Sequence, residues 1–151
     1  MKTLVVYDSV FGNTEQVARS IASAIAGTVK LTKISAASVR DLDGVDLLVL
    51  GSPTLGGRAT KPMQEFVESI PRAAAEKVRC AAFDTRLTMK FAKIFGYAAP
   101  RMADELAHKG GAPASDPEGF IVKGRNGPLA EGELQRASAW GSALGAKKGG
   151  A

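Results

Sequence analysis

Short aliphatic runs alternate along this chain with stretches in which apolar residues recur every three or four positions. Thr3 to Tyr7 is continuously apolar, which predicts a strand buried on both faces. Val17, Ile21 and Ile25, flanked by Ala18 and Ala22, predict an amphipathic helix with Asn13 as its N-cap, Gln16 at the capping-box position and an end at Gly27. Thr28 to Ile34 alternates and reads as a second strand, and Asp46 to Gly51 as a short buried third. Met63, Phe66, Val67 and Ile70 fall on one helical face, with Pro62 in the first turn and Pro71 as the stop. Lys77 to Phe83 reads as a fourth strand, Thr88 to Phe95 as a short helical turn, and Pro100 to Lys109 as a helix closed by Gly110-Gly111. Gly119 to Lys123 is the fifth strand, with Ala112 to Ser115 as its extension. Glu133 to Gly145 is the last helix, with Leu134, Ala137, Gly141 and Leu144 facing inward.

Strands alternating with helices predict an α/β fold with a mainly parallel sheet and helices on both faces. At 151 residues, with no internal repeat, the chain is expected to form one domain over residues 1–146, followed by a flexible Gly-rich tail at 147–151. Cys80 is the single cysteine, so no internal disulfide forms, and its apolar surroundings suit a buried thiol. No run approaches the roughly 20 apolar residues of a membrane span, and Asp8 interrupts the N-terminal apolar stretch too early for a signal peptide. A cytoplasmic protein is therefore expected. The net charge of +5 favours an acidic partner, while the lack of basic runs interleaved with aromatics argues against nucleic acid.

The chemistry concentrates in Ser9-Val10-Phe11-Gly12-Asn13-Thr14, between the first strand and the first helix. In an open parallel sheet, ligands bind beyond the carboxyl ends of the strands where strand order reverses. Free amides and the partial positive charge of a helix N-terminus suit a phosphate there. Gly12 permits close backbone approach, and Ser9, Asn13 and Thr14 add short donors. Taken alone, the loop also reads as a plain cap and turn. The GxxxxGK[ST] and GxGxxG phosphate loops are both absent.

The run Val5-Val6-Tyr7-Asp8-Ser9-Val10-Phe11-Gly12-Asn13-Thr14, with Ala18 and Ile21 following, resembles the N-terminal FMN-phosphate signature of the flavodoxin family. The resemblance implies a doubly wound five-stranded parallel sheet in the order 2-1-3-4-5, flavodoxin itself being a standard case of ligand binding at the switch point. It implies FMN as cofactor, with its phosphate on Ser9, Val10, Phe11, Gly12, Asn13 and Thr14. Pro53, Thr54, Leu55, Gly56 and Gly57 would flank one side of the isoalloxazine, and Asp84, Thr85 and Arg86 the other, ahead of Leu87. In the family a flexible glycine peptide offers its carbonyl to the flavin on reduction, a task that would fall to Gly56-Gly57. The bland reading of these glycines is a mobile turn, and that of Asp84-Thr85-Arg86 a helix start with a surface ion pair.

Three features depart from the family pattern. Phe11 stands where many flavodoxins carry a further hydroxyl. Leu55, Arg58 and Leu87 occupy the neighbourhood of the usual stacking aromatics, which costs about 1 kcal/mol per missing ring. Phe91, Phe95 and Tyr97 are the nearest rings. The chain is net positive where familiar flavodoxins are acidic, so its partner differs in charge from theirs. The expected function is FMN-dependent electron transfer with a redox partner protein, by a monomer or weak dimer, with no catalytic side chain. The rivals are an NAD(P)H:quinone reductase, suggested by the Phe11-Gly12 pair, and a flavodoxin-fold regulatory module without tight FMN binding.

Other candidates carry less. His108, the single histidine, suits a helix C-terminus, and no cluster with metal-ligand spacing accompanies it. Trp140 has core-compatible spacing, and Arg125 reads as a surface residue within reach of a phosphate-bearing ligand. A phosphoacceptor receiver domain would need an aspartate at the end of the third strand, where Gly51-Ser52-Pro53 stands.

Overall fold

The computed structural model describes residues 1–88 and 96–146. Its first strand, β1 (Lys2–Tyr7), pairs in parallel with β2 (Thr28–Lys33) on one side and β3 (Leu47–Pro53) on the other. β4 (Arg79–Leu87) follows β3 in parallel register, Gly51 opposite Phe83 and Pro53 opposite Thr85. The fifth position is shared by β5 (Ala112–Pro113), beside the start of β4, and β6 (Glu118–Val122), beside its end. The sheet order is thus 2-1-3-4-5 with every ladder parallel.

Buried residues alternate across this sheet and separate two cores. Leu4, Val6, Leu48, Leu50 and Ala82 face α2 (Lys61–Ser69) and α4 (Ala98–His108), meeting Met63, Val67, Met102 and Leu106. Val5, Tyr7, Leu47, Val49 and Phe83 face α1 (Asn13–Ala24) and α5 (Glu133–Ala146), meeting Val17, Ile21, Ala137 and Leu144. A central strand covered on both faces must be apolar throughout, which explains the uninterrupted aliphatic runs. Gly141 lets α5 lie against α1: a Cβ there would stand 2.5 Å from the Ile21 carbonyl oxygen. Phe83, Phe120 and Trp140 pack edge to face, with centroids 6.1–6.3 Å apart, so Trp140 is packing as expected.

Several boundaries differ from the sequence reading for local physical reasons. Asn13 is the first helical residue, not the cap. Gly12 holds the cap position at φ 93°, and having no side chain it makes no cap bond; Ser9 Oγ instead accepts the Gly12 and Glu15 amides at 3.1 and 3.3 Å. α1 ends at Ala24, before Gly27. A short α3 (Arg72–Ala75) follows Pro71, and two 3-10 turns, Ile34–Ala36 and Val39–Leu42, precede β3. β4 runs on to Leu87, so Asp84, Thr85 and Arg86 are strand residues rather than a helix start. Leu134 is exposed, and Glu133 turns inward in its stead. The expected turn at 88–95 and the tail at 147–151 fall largely or wholly outside the described residues.

Glu133 and Arg136 close the outer edge of β6. Glu133 Oε2 accepts the Ile121 amide at 2.7 Å. The Arg136 guanidinium binds Glu133 at 3.0 and 2.8 Å, reaches Glu118 and the Gly119 carbonyl, and covers the Phe120 ring at 4.4 Å. Side chains thereby satisfy backbone groups that an edge strand would otherwise offer to another chain.

Two predictions follow from this packing. Gly51 lies under the Phe83 ring, and a Cβ there would stand 2.0 Å from Cζ. Gly51→Ala is expected to cost about 1–3 kcal/mol by overpacking. Phe83→Leu in the same chain should recover part of that loss, read as coupling in urea-unfolding midpoints. The bond from Arg136, joined by the Ile121 amide, holds the Glu133 carboxyl below its usual 4.5. The unfolded chain then binds more protons at mildly acidic pH, so this contribution is intact above 4.5 and is lost as pH falls below it. Glu133→Gln should flatten that acid limb of the stability–pH curve.

Candidate functional site

The carboxyl ends of β1, β3 and β4 open on a cleft of about 560 Å³. Strand order reverses here, since β1 leads to β2 on one side and β3 leads to β4 on the other. Its walls come from the β1–α1 loop (Val10, Phe11, Asn13, Thr14), the loop after β3 (Pro53, Thr54, Leu55, Gly56) and the end of β4 (Thr85, Arg86, Leu87). Val122 at the end of β6 and Arg125 in the turn after it complete it. Val10, Phe11 and Leu55 are about half exposed and are three of the five exposed large apolar side chains among the described residues, so the cleft mouth is unusually apolar.

Asp8 sets the loops around the cleft. Its amide donates to the Gly51 carbonyl at 2.9 Å, extending the β1–β3 ladder by one residue. One carboxylate oxygen accepts the Ser9 amide at 2.8 Å, and the other accepts the Thr60 hydroxyl at 2.6 Å. Thr60 caps α2 by accepting the Met63 amide, and its own amide donates to Ser52 Oγ at 3.0 Å. One carboxylate therefore joins the loop before α1 to the start of α2.

Within the β1–α1 loop, Ser9 Oγ takes the Gly12 and Glu15 amides. Among the described residues, the amides of Val10, Phe11, Asn13 and Thr14 have no protein acceptor. A Cβ on Gly12 would meet nothing within 4 Å, so its left-handed φ of 93°, and not crowding, calls for glycine. Thr14 and Thr85, both buried, share a hydroxyl–hydroxyl bond of 2.8 Å; that bond uses one hydroxyl hydrogen and leaves the other available. Tyr7 donates to Glu15 Oε1 at 3.3 Å, and burial together with the adjacent carboxylate pushes the phenol above its usual value.

The loop after β3 is a tight hairpin. Leu55 and Arg58 exchange backbone bonds of 2.8 and 3.1 Å, and Gly56 and Gly57 both have positive φ, 57° and 82°, as a type I′ turn requires. The Thr54 hydroxyl accepts the Ala98 amide at 3.1 Å, tying this loop to α4. On the opposite wall, Asp84 is fully buried, binds Arg86 through both oxygens at 2.7 and 2.8 Å, and also accepts the Ala99 amide. The guanidinium lies 3.5 Å over the Tyr97 ring and fills the space beside Gly119. The expected surface pair is thus an interior one.

Ten of the fourteen expected site residues line the cleft: Val10, Phe11, Asn13, Thr14, Pro53, Thr54, Leu55, Gly56, Thr85 and Arg86. Ser9, Gly12, Gly57 and Asp84 stand behind the walls; Ser9 turns its oxygen into the loop, and Asp84 anchors Arg86. Arg125, expected as a surface residue within reach of a phosphate-bearing ligand, lines the cleft, and so does Val122, for which the sequence suggests no site role. Their signal in the sequence was the glycine-flanked turn after the fifth strand, which could have been read as returning to the same sheet end. Gly127, preceding a cis proline, lies against Asn13, so a Cβ there would stand 2.6 Å from Oδ1.

A parallel sheet in the order 2-1-3-4-5, with a cleft at the switch point and helices on both faces, defines the doubly wound, flavodoxin-like class of α/β fold. The profile of the flavodoxin-domain family matches residues 4–121, and the chain belongs to that family. No curated protein matches the chain significantly. A flavodoxin from the domain Archaea superposes with TM-score 0.79 at 23% identity, over 96% of each chain. Oxidised flavodoxin 1 of Bacillus cereus gives 0.77 at 16% identity, over 95% of this chain and 97% of that one. Rubredoxin oxygen:oxidoreductase from Desulfovibrio gigas gives 0.76 at 19% identity, over 95% of this chain and 35% of that longer one. Family membership accords with a redox carrier rather than an enzyme with its own substrate. Among the described residues, no group of three or more His, Cys, Asp or Glu could hold a metal ion, and no helix is long and apolar enough to cross a membrane.

Asp8 and Thr60 supply a test of how the loops are joined. Thr60→Val removes both the α2 cap and the bond to Asp8, and is expected to lower stability by about 1–2 kcal/mol in denaturant unfolding. An unchanged midpoint would mean that the two loops are held independently of Asp8.

Proposed function

We propose that this protein binds FMN in the switch-point cleft and carries electrons between redox partners. The observation that carries this reading is the set of unpartnered amides at Val10, Phe11, Asn13 and Thr14, opening on the cleft at the start of α1 in a chain of the flavodoxin-domain family. A phosphate monoester bears about −1.5 to −2 charges at neutral pH and needs several donors. Consecutive amides at a helix N-terminus supply them without desolvating a lysine. The free hydroxyl hydrogen of the Thr14–Thr85 pair adds a further donor beside that loop.

On this reading Ser9 and Gly12 shape the phosphate loop from behind, and Asp84 holds Arg86 in the wall. Leu55, Gly56 and Leu87 provide the apolar surfaces that exclude water from a flat ring, with Phe11 at the lip. FMN supplies one- or two-electron chemistry when bound, so no side chain need act as acid or base. The family's supporting glycine peptide falls on Gly56-Gly57, whose positive φ values are of the kind glycine adopts without cost. The redox partner presents an acidic face to this chain of net charge +5, in the cytoplasm, and the protein works as a monomer or weak dimer over a single domain, residues 1–146.

The test is a titration of flavin-free protein, following quenching of FMN fluorescence, with riboflavin as comparator. FMN is expected to bind at least about tenfold tighter than riboflavin, because several charge-assisted amide bonds each contribute on the order of 1.5–3 kcal/mol. Protein that quenches neither flavin would overturn the assignment. NAD(P)H-dependent quinone turnover by the loaded protein would shift it from carrier to reductase.

A further inference from the structure

We infer that Arg125 is a specificity-determining residue of the cleft, supplying the positive charge that distinguishes a phosphorylated flavin from an unphosphorylated one; the inference rests on the FMN reading above. Among the described residues, two charged side chains line the cleft, Arg86 and Arg125. The charge of Arg86 is already committed, since both Asp84 oxygens bind its guanidinium in the interior. Among the described residues Arg125 has no carboxylate partner, and it is exposed on the side of the cleft.

The backbone brings Arg125 to this position. The turn Gly124-Arg125-Asn126-Gly127 closes with the Gly127 amide donating to the Gly124 carbonyl at 3.0 Å. Its stem is fixed to β6 by bonds of 2.8 Å from Lys123 to Pro128 and from Ala130 to Ile121. Its far side abuts the Asn13 side chain in the first turn of α1. The turn is therefore held against the loop whose amides are open, and ordering Arg125 on a ligand costs little beyond its own side-chain entropy.

Charge balance gives the residue its task. A helix N-terminus offers the equivalent of about half a positive charge. Against a monoester of about −1.5 to −2, roughly one negative charge is left uncompensated. Among the described residues of the cleft, Arg125 can meet it, with planar donors suited to phosphate oxygens. Because it is exposed, its contribution is screened by salt, unlike that of the amides.

The experiment measures dissociation constants of FMN and riboflavin for wild type, Arg125→Gln and Arg125→Lys, at low and high salt. Arg125→Gln is expected to weaken FMN about tenfold, the effect of one charge-assisted contact, and to leave riboflavin within about twofold. Arg125→Lys should restore part of the loss, and the gap between wild type and Arg125→Gln should narrow as salt rises. Equal losses for both flavins, or an unchanged FMN constant in Arg125→Gln, would overturn the inference while leaving FMN binding intact. Failure of the wild type to bind FMN would instead remove the reading on which it rests. Arg125 is a surface side chain, so unchanged unfolding midpoints will show that the variants fold.

Discussion

The site depends on a single extension of the β1–β3 ladder. Once the Asp8 amide pairs with the Gly51 carbonyl, the chain leaves the sheet at a fixed point, and the Asp8 carboxylate takes hold of Ser9 on one side and Thr60 on the other. A carboxylate accepting two bonds is stronger than two neutral acceptors, and the bond to Thr60 is short at 2.6 Å. The start of α1 and the start of α2 are consequently set with respect to each other. The open amides of Val10, Phe11, Asn13 and Thr14 are what remains after Ser9 Oγ has satisfied Gly12 and Glu15.

The opposite wall is built by a different device. Asp84 is buried completely, and a buried carboxyl group requires hydrogen-bond partners. It is joined by a bidentate guanidinium and by the Ala99 amide, so the pair fixes both the end of β4 and the start of α4. Tyr97 covers the guanidinium on the outside, which occupies a ring that could otherwise have stacked elsewhere. The same logic closes β6, where Glu133 and Arg136 satisfy edge backbone groups with side chains from α5. Ionic side chains in this fold chiefly position backbone, and the cleft inherits its shape from them.

The apolar mouth and the basic composition bear on how the protein meets others. Val10, Phe11 and Leu55 stand half exposed around the cleft, where water contact is unfavourable. On the proposed reading, a positive chain gains in encounter rate with an acidic partner, and the apolar rim adds to the contact once formed. Screening by salt acts on the first of these and leaves the second.

The fold was legible in the sequence because burial on both faces forces strands such as Leu4–Tyr7 and Leu47–Leu50 into uninterrupted aliphatic runs, and helices such as Met63–Ile70 into a single apolar stripe. The β1–α1 loop was legible because a glycine with positive φ and short polar residues must stand together there. The capping of α1 was not, since Ser9 Oγ reaches the Glu15 amide only through the path of the loop, and Asn13 falls inside the helix. The extension of β4 to Leu87 was hidden because Asp84-Thr85-Arg86 is polar, and its polarity is consumed by the Asp84–Arg86 pair, by α4 and, at Thr85, by Thr14 of α1. Arg125 looked like a surface residue because the approach of its turn to Asn13 is a contact between segments more than a hundred residues apart. Periodicity and backbone preference act over a few residues and so determine the elements and their order from the sequence alone. Pairing of charges and closure of loops act through space, and only the tertiary structure decides them.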